Sequence, residues 1–598
     1  MKRVSLKITG AQGQGVNSVG EMCAKGLKRS GYCVFGYREY MSLIKGGHSS
    51  YQLDVSHERI ESSETGIDIL VCFNHHGLEQ NAPELKRGGI ILHQTPQWTF
   101  PAETEKWLKR EDVTVMYLPV EDILERLEAK AIFGNVLITS VVWSLLDRPI
   151  DDLKALVREQ FGRKGEEAVR MNFACIDEGV AYKKQHAPTA RIALPDPDAR
   201  RWKDCVLVTG SQAMGLGLIH GGCRMYVGYP MTPSSPLLSF MADMQNDAGL
   251  VIKQAEDEIT AAQMMSGAMA MGTRAATGTS GGGFDLMSET VSMNAMIENP
   301  SVFVLAQRPG PATGLPTWTA QGDLLLAVGA AHGEFPRIVL CVSDAEDCFR
   351  LSAEAFNLAE EWQTPVILMT DKQTAEVLFT ADPFDQKQAA VRRGRLVTKA
   401  AELAKLNGTD RFDPSAKDGV SARWLPGSKA ATYCMQADEH SADGSVDETK
   451  ENAVAQMEKR MKKLSAIAKA LPEPEVLGEG FGNGDSDKGK IDMLVVSWGS
   501  NKGVILDALR QLTSHNSHLT AAYLHYTYLW PLKTKRFLEM AKRAKKIVLV
   551  ECNQQGQLGL LLRQQTGVDI TDRLLAYDGR PWFCDALVAG LRSFLPKR

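Results

Sequence analysis

The amino-acid sequence predicts an α/β fold: three doubly wound domains, with an extended connector between the second and the third. Three observations point there. Short apolar runs alternate with helix-length stretches, the pattern that builds βαβ units and parallel sheets. Each domain opens on such a run followed by a small-residue turn: Gly10-Ala11-Gln12-Gly13-Gln14-Gly15-Val16, Gly210-Ser211-Gln212-Ala213-Met214-Gly215 and Trp498-Gly499-Ser500. Between the domains lie polar segments without apolar periodicity, and no tandem repeat is evident.

The first domain spans 1–185. Residues 1–10 read as a strand, the glycine turn leads into helical periodicity through Leu27, and 67–73, 90–94 and 113–118 read as further strands. Residues 186–203, with Pro195, Pro197 and Arg200-Arg201, are Pro-rich and polar and read as a linker. The second domain, 204–385, opens on a strand at 205–209 and continues through strands at 302–306, 337–341 and 365–370. Residues 386–490 are densely charged, with a basic helical run at 457–463 and a Gly/Asp/Lys segment at 478–490, and read as a connector lying over other domains. The third domain, 491–598, begins with a strand at 491–497 and contains another at 546–550.

At 598 residues the chain exceeds what a single core supports. Its 44% hydrophobic and 23% charged residues are ordinary for soluble globular protein. A net charge of −4 gives no general pull toward nucleic acid or an anionic membrane. No apolar run approaches the roughly 20 residues of a membrane span. The N-terminus alternates like a strand rather than a signal peptide, so a cytoplasmic or equivalent compartment is expected. The 11 cysteines are scattered without a C-x-x-C pair, so this chain alone is expected to hold neither an iron–sulfur cluster nor structural zinc, and no metal.

Chemistry concentrates after two strand-like runs. Tyr229-Pro230-Met231-Thr232-Pro233-Ser234-Ser235-Pro236 is a rigid hydroxyl-bearing loop, because Pro230 and Pro233 fix the backbone on both sides of Thr232. Such a hydroxyl can donate to a carboxylate at little ordering cost; the alternative is a structural Pro-rich turn. Glu256-Asp257-Glu258 opens a helix of small and apolar residues, 259–271, which reads as buried, as in a subunit interface. Glu258 is either a functional carboxylate or a complement to the helix dipole. Arg308, just past the apolar run 302–306, suits bidentate carboxylate capture, or else is an ordinary loop arginine. In the first domain, Gly13 and Gly15 let backbone N–H groups approach a phosphate at a helix start. Lys45-Gly46-Gly47-His48-Ser49-Ser50 adds a cation, a second glycine pair and hydroxyls; His48 alone reads equally as a hydrogen-bonded surface or interface histidine.

The Y-P-M-T-P-S-S-P loop, Glu258 before its small-residue helix and Arg308 in Q-R-P-G-P-A-T-G-L-P-T resemble the α subunit of 2-oxoacid:ferredoxin oxidoreductases. The G-A-Q-G-Q-G-V and K-G-G-H-S-S segments resemble that family's γ subunit, fused ahead of α. The C-terminal W-G-S-N, Leu529-Trp530-Pro531-Leu532 and Glu551-Cys552-Asn553-Gln554-Gln555-Gly556-Gln557-Leu558 resemble its transketolase C-terminal-like domain. The resemblance makes 1–185 a γ domain, 204–385 the pyrimidine-binding domain of a thiamine enzyme, and 491–598 the transketolase-like domain.

The resemblance implies an enzyme that uses thiamine diphosphate with Mg²⁺, shared with a β subunit, to decarboxylate a 2-oxo acid, pass electrons to ferredoxin and release an acyl-CoA. The family's diphosphate/Mg²⁺ motif G-D-G lies in β, together with the [4Fe-4S] cluster, and neither G-D-G nor C-x-x-C occurs here. The implied assembly is a heterotetramer, a dimer of γα/β units. Carried over by residue, Glu258 resembles the glutamate that hydrogen-bonds the cofactor's pyrimidine nitrogen, promoting loss of the thiazolium C2 proton. Thr232, with Ser234 in the same loop, resembles the site of the substrate's 1-carboxylate, and Arg308 a cation beside it. Gly13, Gly15, Lys45, Gly46 and Gly47 fall on the CoA platform, with Lys45 where the pattern usually shows Arg. His48, Ser49 or a β residue is the candidate for a distal carboxylate. The G-P-A-T-G-L-P-T run, the γα order and Asp438-Glu439-His440 before Lys459-Arg460 look most like the 2-oxoglutarate members; pyruvate and other 2-oxo acids, or a non-catalytic scaffold, are the alternatives.

Overall fold

The computed structural model describes residues 2–43, 45–406, 408–429, 432–478, 489–514 and 518–595, so most of the Gly/Asp/Lys segment at 478–490 lies outside the described residues. The chain divides into two compact units: residues 1–208, 377–383 and 583–588, and the remainder. No helix among the described residues is long and apolar enough to cross a membrane.

The first unit is built on an eight-stranded sheet in the order Thr114–Tyr117, Leu85–His93, Ile67–Cys72, Val4–Gln12, Gly46–Ser56, Cys33–Tyr40, Leu378–Ala381, Val206–Thr209. The first four strands run parallel. Gly46–Ser56 then lies antiparallel between Val4–Gln12 and Cys33–Tyr40, so the expected doubly wound pattern holds for one half of the sheet. The reason is local: Gly46 and Gly47 adopt φ of 78° and 66°, which lets the chain turn straight back, and antiparallel neighbours need no crossover helix. The core gathers Leu6, Ile8, Val19, Leu53 and Trp143, all fully buried, between this sheet and helices including Val16–Arg29 and Gly134–Leu145.

One strand lies elsewhere than expected. The run at 205–209, read as the first strand of the second domain, is the edge strand of this sheet beside Leu378–Ala381. Trp202, Cys205 and Val377 bury their side chains among Cys33, Phe35 and Tyr37, and that packing decides which sheet the strand joins.

The second unit contains a seven-stranded sheet in the order Tyr528–Trp530, Ile338–Cys341, Pro365–Asp371, Ser301–Gln307, Ala275–Thr279, Met225–Gly228, Val251–Gln254. All its pairings are parallel except that of Tyr528–Trp530. Strands ending at Gly228, Gln254, Thr279 and Gln307 therefore open on one edge. A five-stranded sheet, Glu475–Leu477, Ala521–Tyr526, Ile491–Trp498, Ala544–Glu551 and Asp572–Leu575, is parallel but for its first strand.

Residues 386–490 turn charge inward rather than only outward. The helix Lys450–Ala470 places Lys459 and Lys463 against Glu298, one lysine on each carboxylate oxygen, and all three are buried. Arg411 donates to the Glu298 carbonyl at 2.8 Å. Burial works against the Glu298 charge, but Lys459, Lys463 and Arg411 hold its carboxyl well below the ordinary range. Burial pushes the Lys463 ammonium down to about 7 despite Glu298. Removing one partner of such a cluster leaves buried charge uncompensated. Glu298→Ala is expected to cost about 3–5 kcal/mol in denaturant unfolding. Arg29→Met, which removes only the exposed pair with Glu159, is expected to cost less than about 1 kcal/mol.

Candidate functional site

The carboxyl ends of parallel strands leave backbone groups and loop side chains facing a common crevice, and the second unit fills its crevice with the residues singled out above. Past Met225–Gly228, the loop makes a cis peptide at Thr232-Pro233. Ser234 is buried and its hydroxyl donates to the Met231 carbonyl at 2.9 Å, so it braces the loop and starts the helix Ser235–Asp243. Arg308, past Ser301–Gln307, donates to the Thr232 carbonyl at 2.8 Å. Thr232 and Arg308 are thus joined, with the Thr232 hydroxyl left for other partners. Burial draws the Arg308 guanidinium below its ordinary range, and Asp323 works against that.

Past Val251–Gln254, Asp257 caps the helix Glu258–Ala270 by accepting from Thr260 N at 2.8 Å. That cap fixes Glu258 as the first helical residue with its side chain turned inward. Glu258 is 3% exposed, and its Oε1 is buried with no hydrogen-bond partner in the protein. A buried carboxyl oxygen without a partner costs about 1–3 kcal/mol, so its retention points to a ligand atom as the missing partner.

The turn after Ala275–Thr279 shapes the space around it. A Cβ at Gly283 would meet Thr279 Oγ1 at 2.0 Å and Glu258 Oε1 at 2.7 Å, so only glycine lets the helix Gly281–Met296 start this close. Thr279 Oγ1 reaches Met231 Sδ at 3.7 Å, tying the Glu258 corner to the Thr232 loop. Asp323, whose backbone N–H donates to Gln307 Oε1 at 3.1 Å, sets its carboxyl against Gly281. Its Oδ2 is buried and unbonded, and burial and Asp285 push the carboxyl up to about 6 against the pull of Arg308. Asp323 and Gly281–Gly283 are absent from the sequence-derived site. The run Thr277-Gly278-Thr279-Ser280-Gly281-Gly282-Gly283 after an apolar segment was the available signal for the glycines; Asp323 carried none.

The first unit gathers the other named residues at one sheet end. Ala11 pairs with His48 and Gln12 with Gly46, so the hairpin tip lies beside the glycine turn. Gly15, at φ 101°, precedes the helix Val16–Arg29, whose first N–H groups lack intrahelical partners. An added Cβ at Gly15 would meet Asn135 Oδ1 at 2.1 Å, whereas one at Gly13 meets nothing within 4 Å. Lys45 is exposed at the hairpin tip. His48 Nδ1 is buried without a partner, and the ring sits edge-on to His76 with centroids 5.8 Å apart. Burial lowers the His48 pKa, and His76 and Lys7 add to this against Glu39.

Fold and site together define an α/β enzyme subunit whose parallel sheet presents a dry carboxylate, a hydroxyl loop and an arginine along one edge. Residues 5–182 match the family model described as pyruvate ferredoxin/flavodoxin oxidoreductase, and residues 216–459 that of the thiamine diphosphate-binding domain of pyruvate flavodoxin/ferredoxin oxidoreductase. The 2-oxoacid:ferredoxin oxidoreductase subunit alpha of Saccharolobus solfataricus is 30% identical over 100% of this chain and 98% of its own length. The 2-oxoglutarate oxidoreductase subunit KorA of Mycobacterium tuberculosis is 27% identical over 95% and 88%. A solved 2-oxoglutarate:ferredoxin oxidoreductase from Magnetococcus marinus, with 2-oxoglutarate, coenzyme A and succinyl-CoA bound, superposes with a TM-score of 0.89 at 28% identity, covering 99% of this chain and 100% of that one. The chain belongs to the 2-oxoacid:ferredoxin oxidoreductase family as an alpha-type subunit.

Gly283→Ala is expected to push Glu258 and Thr279 out of place while the strand pairing of Ala275–Thr279 survives. Turnover of the assembled enzyme should fall about tenfold or more with little change in far-UV circular dichroism; unchanged turnover would separate Glu258 placement from activity.

Proposed function

We propose that this chain is the γα subunit of a cytoplasmic thiamine diphosphate-dependent enzyme that converts 2-oxoglutarate and CoA to succinyl-CoA and CO₂, reducing ferredoxin reversibly. The unbonded, buried Oε1 of Glu258 carries the reading: it is the acceptor that a protonated pyrimidine nitrogen requires. The missing Cβ at Gly283 keeps side-chain bulk off that oxygen. The residues present therefore fit the pyrimidine end of thiamine diphosphate. The diphosphate, its Mg²⁺ and the [4Fe-4S] cluster are assigned to a partner β subunit. Exposed Ile259 and Met271 at the two ends of the Glu258 helix, and Leu286 on the next one, are 49%, 58% and 50% exposed and offer that partner an apolar surface beside the site.

Bound thiamine diphosphate supplies an electron sink for the pair left behind when CO₂ departs. Glu258 holds a proton between its Oε1 and the ring nitrogen. The Thr232 hydroxyl donates to the 1-carboxylate of the 2-oxo acid, and Arg308, anchored on the Thr232 carbonyl, supplies the nearby cation. Ser234 keeps the loop in shape. In the first unit the Gly13–Gly15 turn and the Lys45-Gly46-Gly47 tip are read as the platform for CoA phosphates, with His48, its pKa lowered by burial, beside them.

The 2-oxoglutarate assignment is supported by the names of the Mycobacterium and Magnetococcus proteins. A second reading, use of pyruvate or of several 2-oxo acids, is favoured by the pyruvate description of both family models and by the general name of the Saccharolobus relative.

In the complex with β, Glu258→Gln is expected to lower CoA-dependent reduction of a low-potential viologen by about a hundredfold or more; unchanged turnover would remove the mechanism. Thr232→Val should raise KM for the 2-oxo acid about tenfold with little change in solubility, and an equal loss of soluble protein would make the loop purely structural. Gly13→Ala costs about 1–2 kcal/mol of backbone strain. It is expected to raise KM for CoA while leaving KM for the 2-oxo acid unchanged; equal effects on both would detach this turn from CoA.

A further inference from the structure

Asp323 is a charged group the mechanism above leaves unused. Its carboxyl lies against Gly281 in the same strand-end crevice as Arg308, with Oδ2 buried and unbonded, and its backbone is fixed on both sides. Gln307 accepts from its own N–H, while Gln557 accepts from Leu325 N at 3.1 Å and donates to the Gly322 carbonyl at 2.8 Å. The charged groups whose fields reach it are Asp285, on the helix Gly281–Met296, and Arg308, past Ser301–Gln307, next in sequence to the Gln307 that accepts from the Asp323 N–H; Gln307 and Gln557 are uncharged. No ion pair joins Asp323 to Arg308 among the described residues, yet each feels the other's charge. A carboxylate fixed near a cation without closing on it leaves that cation shared with any third charge entering the crevice.

We propose that Asp323 is a positioning residue that tempers Arg308: its carboxylate competes with the 1-carboxylate of the 2-oxo acid for the guanidinium. The substrate is then bound, yet not held so tightly that losing its charge is disfavoured. This rests on the reading of Arg308 as the carboxylate-binding cation. In the step concerned the C1–C2 bond would break with its electron pair left on C2, for which bound thiamine diphosphate would supply the electron sink, and the carboxylate would leave as neutral CO₂. An interaction that stabilises the substrate's negative charge more than that of the transition state slows this step. An anion beside Arg308 trims that excess.

The sign for pH follows. The Asp323 carboxyl titrates at about 6. Below that it is neutral and Arg308 serves the substrate alone; above it the ionised carboxylate competes. KM for the 2-oxo acid should therefore rise as pH increases through this region, with kcat rising alongside.

The experiment measures KM and kcat of the γα/β complex for 2-oxoglutarate, and the inhibition constant of unreactive glutarate, between about pH 5.5 and 7.5. Asp323→Asn is expected to lower KM and kcat about threefold or more above the break and to flatten the pH dependence of all three constants. Asp285→Asn alters an exposed residue and removes a charge that raises the Asp323 titration, so it should move the break to lower pH. Arg308→Gln, run in parallel, should raise KM and weaken glutarate binding. If Arg308→Gln changes neither, the carboxylate reading fails and this proposal falls with it. If Arg308→Gln raises KM but Asp323→Asn leaves the constants and their pH profiles as in the wild type, or Asp285→Asn leaves the break in place, only the role of Asp323 is overturned.

Discussion

A carboxylate kept dry with a buried oxygen left unbonded is unfavourable unless its surroundings allow nothing else, and the corner around Glu258 meets that demand. Asp257 occupies the cap, so Glu258 cannot turn back to satisfy its own helix N-terminus. Gly283 brings the next helix start within contact of Oε1, and Thr279 fills the space a side chain would take. Parallel pairing of Val251–Gln254, Met225–Gly228, Ala275–Thr279 and Ser301–Gln307 puts all four strand ends on one edge. The Thr232 loop, the glycine turn and Arg308 then converge because of the sheet, not because of their own sequence proximity. The orphan oxygen is the cost of a site built before its ligand arrives.

The same economy of rigid elements shows in how the arginine is held. Arg308 spends one donor on the Thr232 carbonyl, so the hydroxyl and the cation move as one body. Fixing both in advance lowers the ordering cost when a carboxylate binds. In the second unit, the buried Glu298–Lys459–Lys463 cluster ties the long helix of residues 450–470 to the turn just before Ser301–Gln307. Disturbing that cluster therefore reaches the strand that carries Arg308. The first unit, taken by itself, uses a different device: a hairpin tip and a glycine turn brought side by side by antiparallel register.

Much of this was legible in the sequence, and the exceptions share a cause. Thr232, Glu258 and Arg308 each follow a short apolar run, so strand-end position is a local property and could be read directly. Gly13 and Gly15 were readable for the same reason. The partner sheet of residues 206–209 was not readable, because it depends on Trp202 and Val377 packing against Cys33 and Phe35. The half-antiparallel sheet of the first unit was hidden likewise, since periodicity reports a strand without its direction. Asp323 follows no apolar run and sits in a loop that looks ordinary until the fold lays it on Gly281. The charge of residues 386–490 marked a polar segment correctly, but burial of Lys459, Lys463 and Arg411 follows from where Glu298 lies in space.

On the proposed function, this chain contributes the substrate-carboxylate and pyrimidine corner of a CoA-dependent 2-oxoglutarate oxidoreductase. The most direct test is CoA-dependent reduction of a low-potential viologen by the complex isolated through this chain, with 2-oxoglutarate and pyruvate offered in parallel. Turnover is expected with 2-oxoglutarate, dependent on both CoA and thiamine diphosphate, and little with pyruvate. Turnover with pyruvate alone would contradict the substrate. No turnover with either, from a complex that contains its thiamine-bearing partner, would contradict the chemistry assigned to Glu258, Thr232 and Arg308.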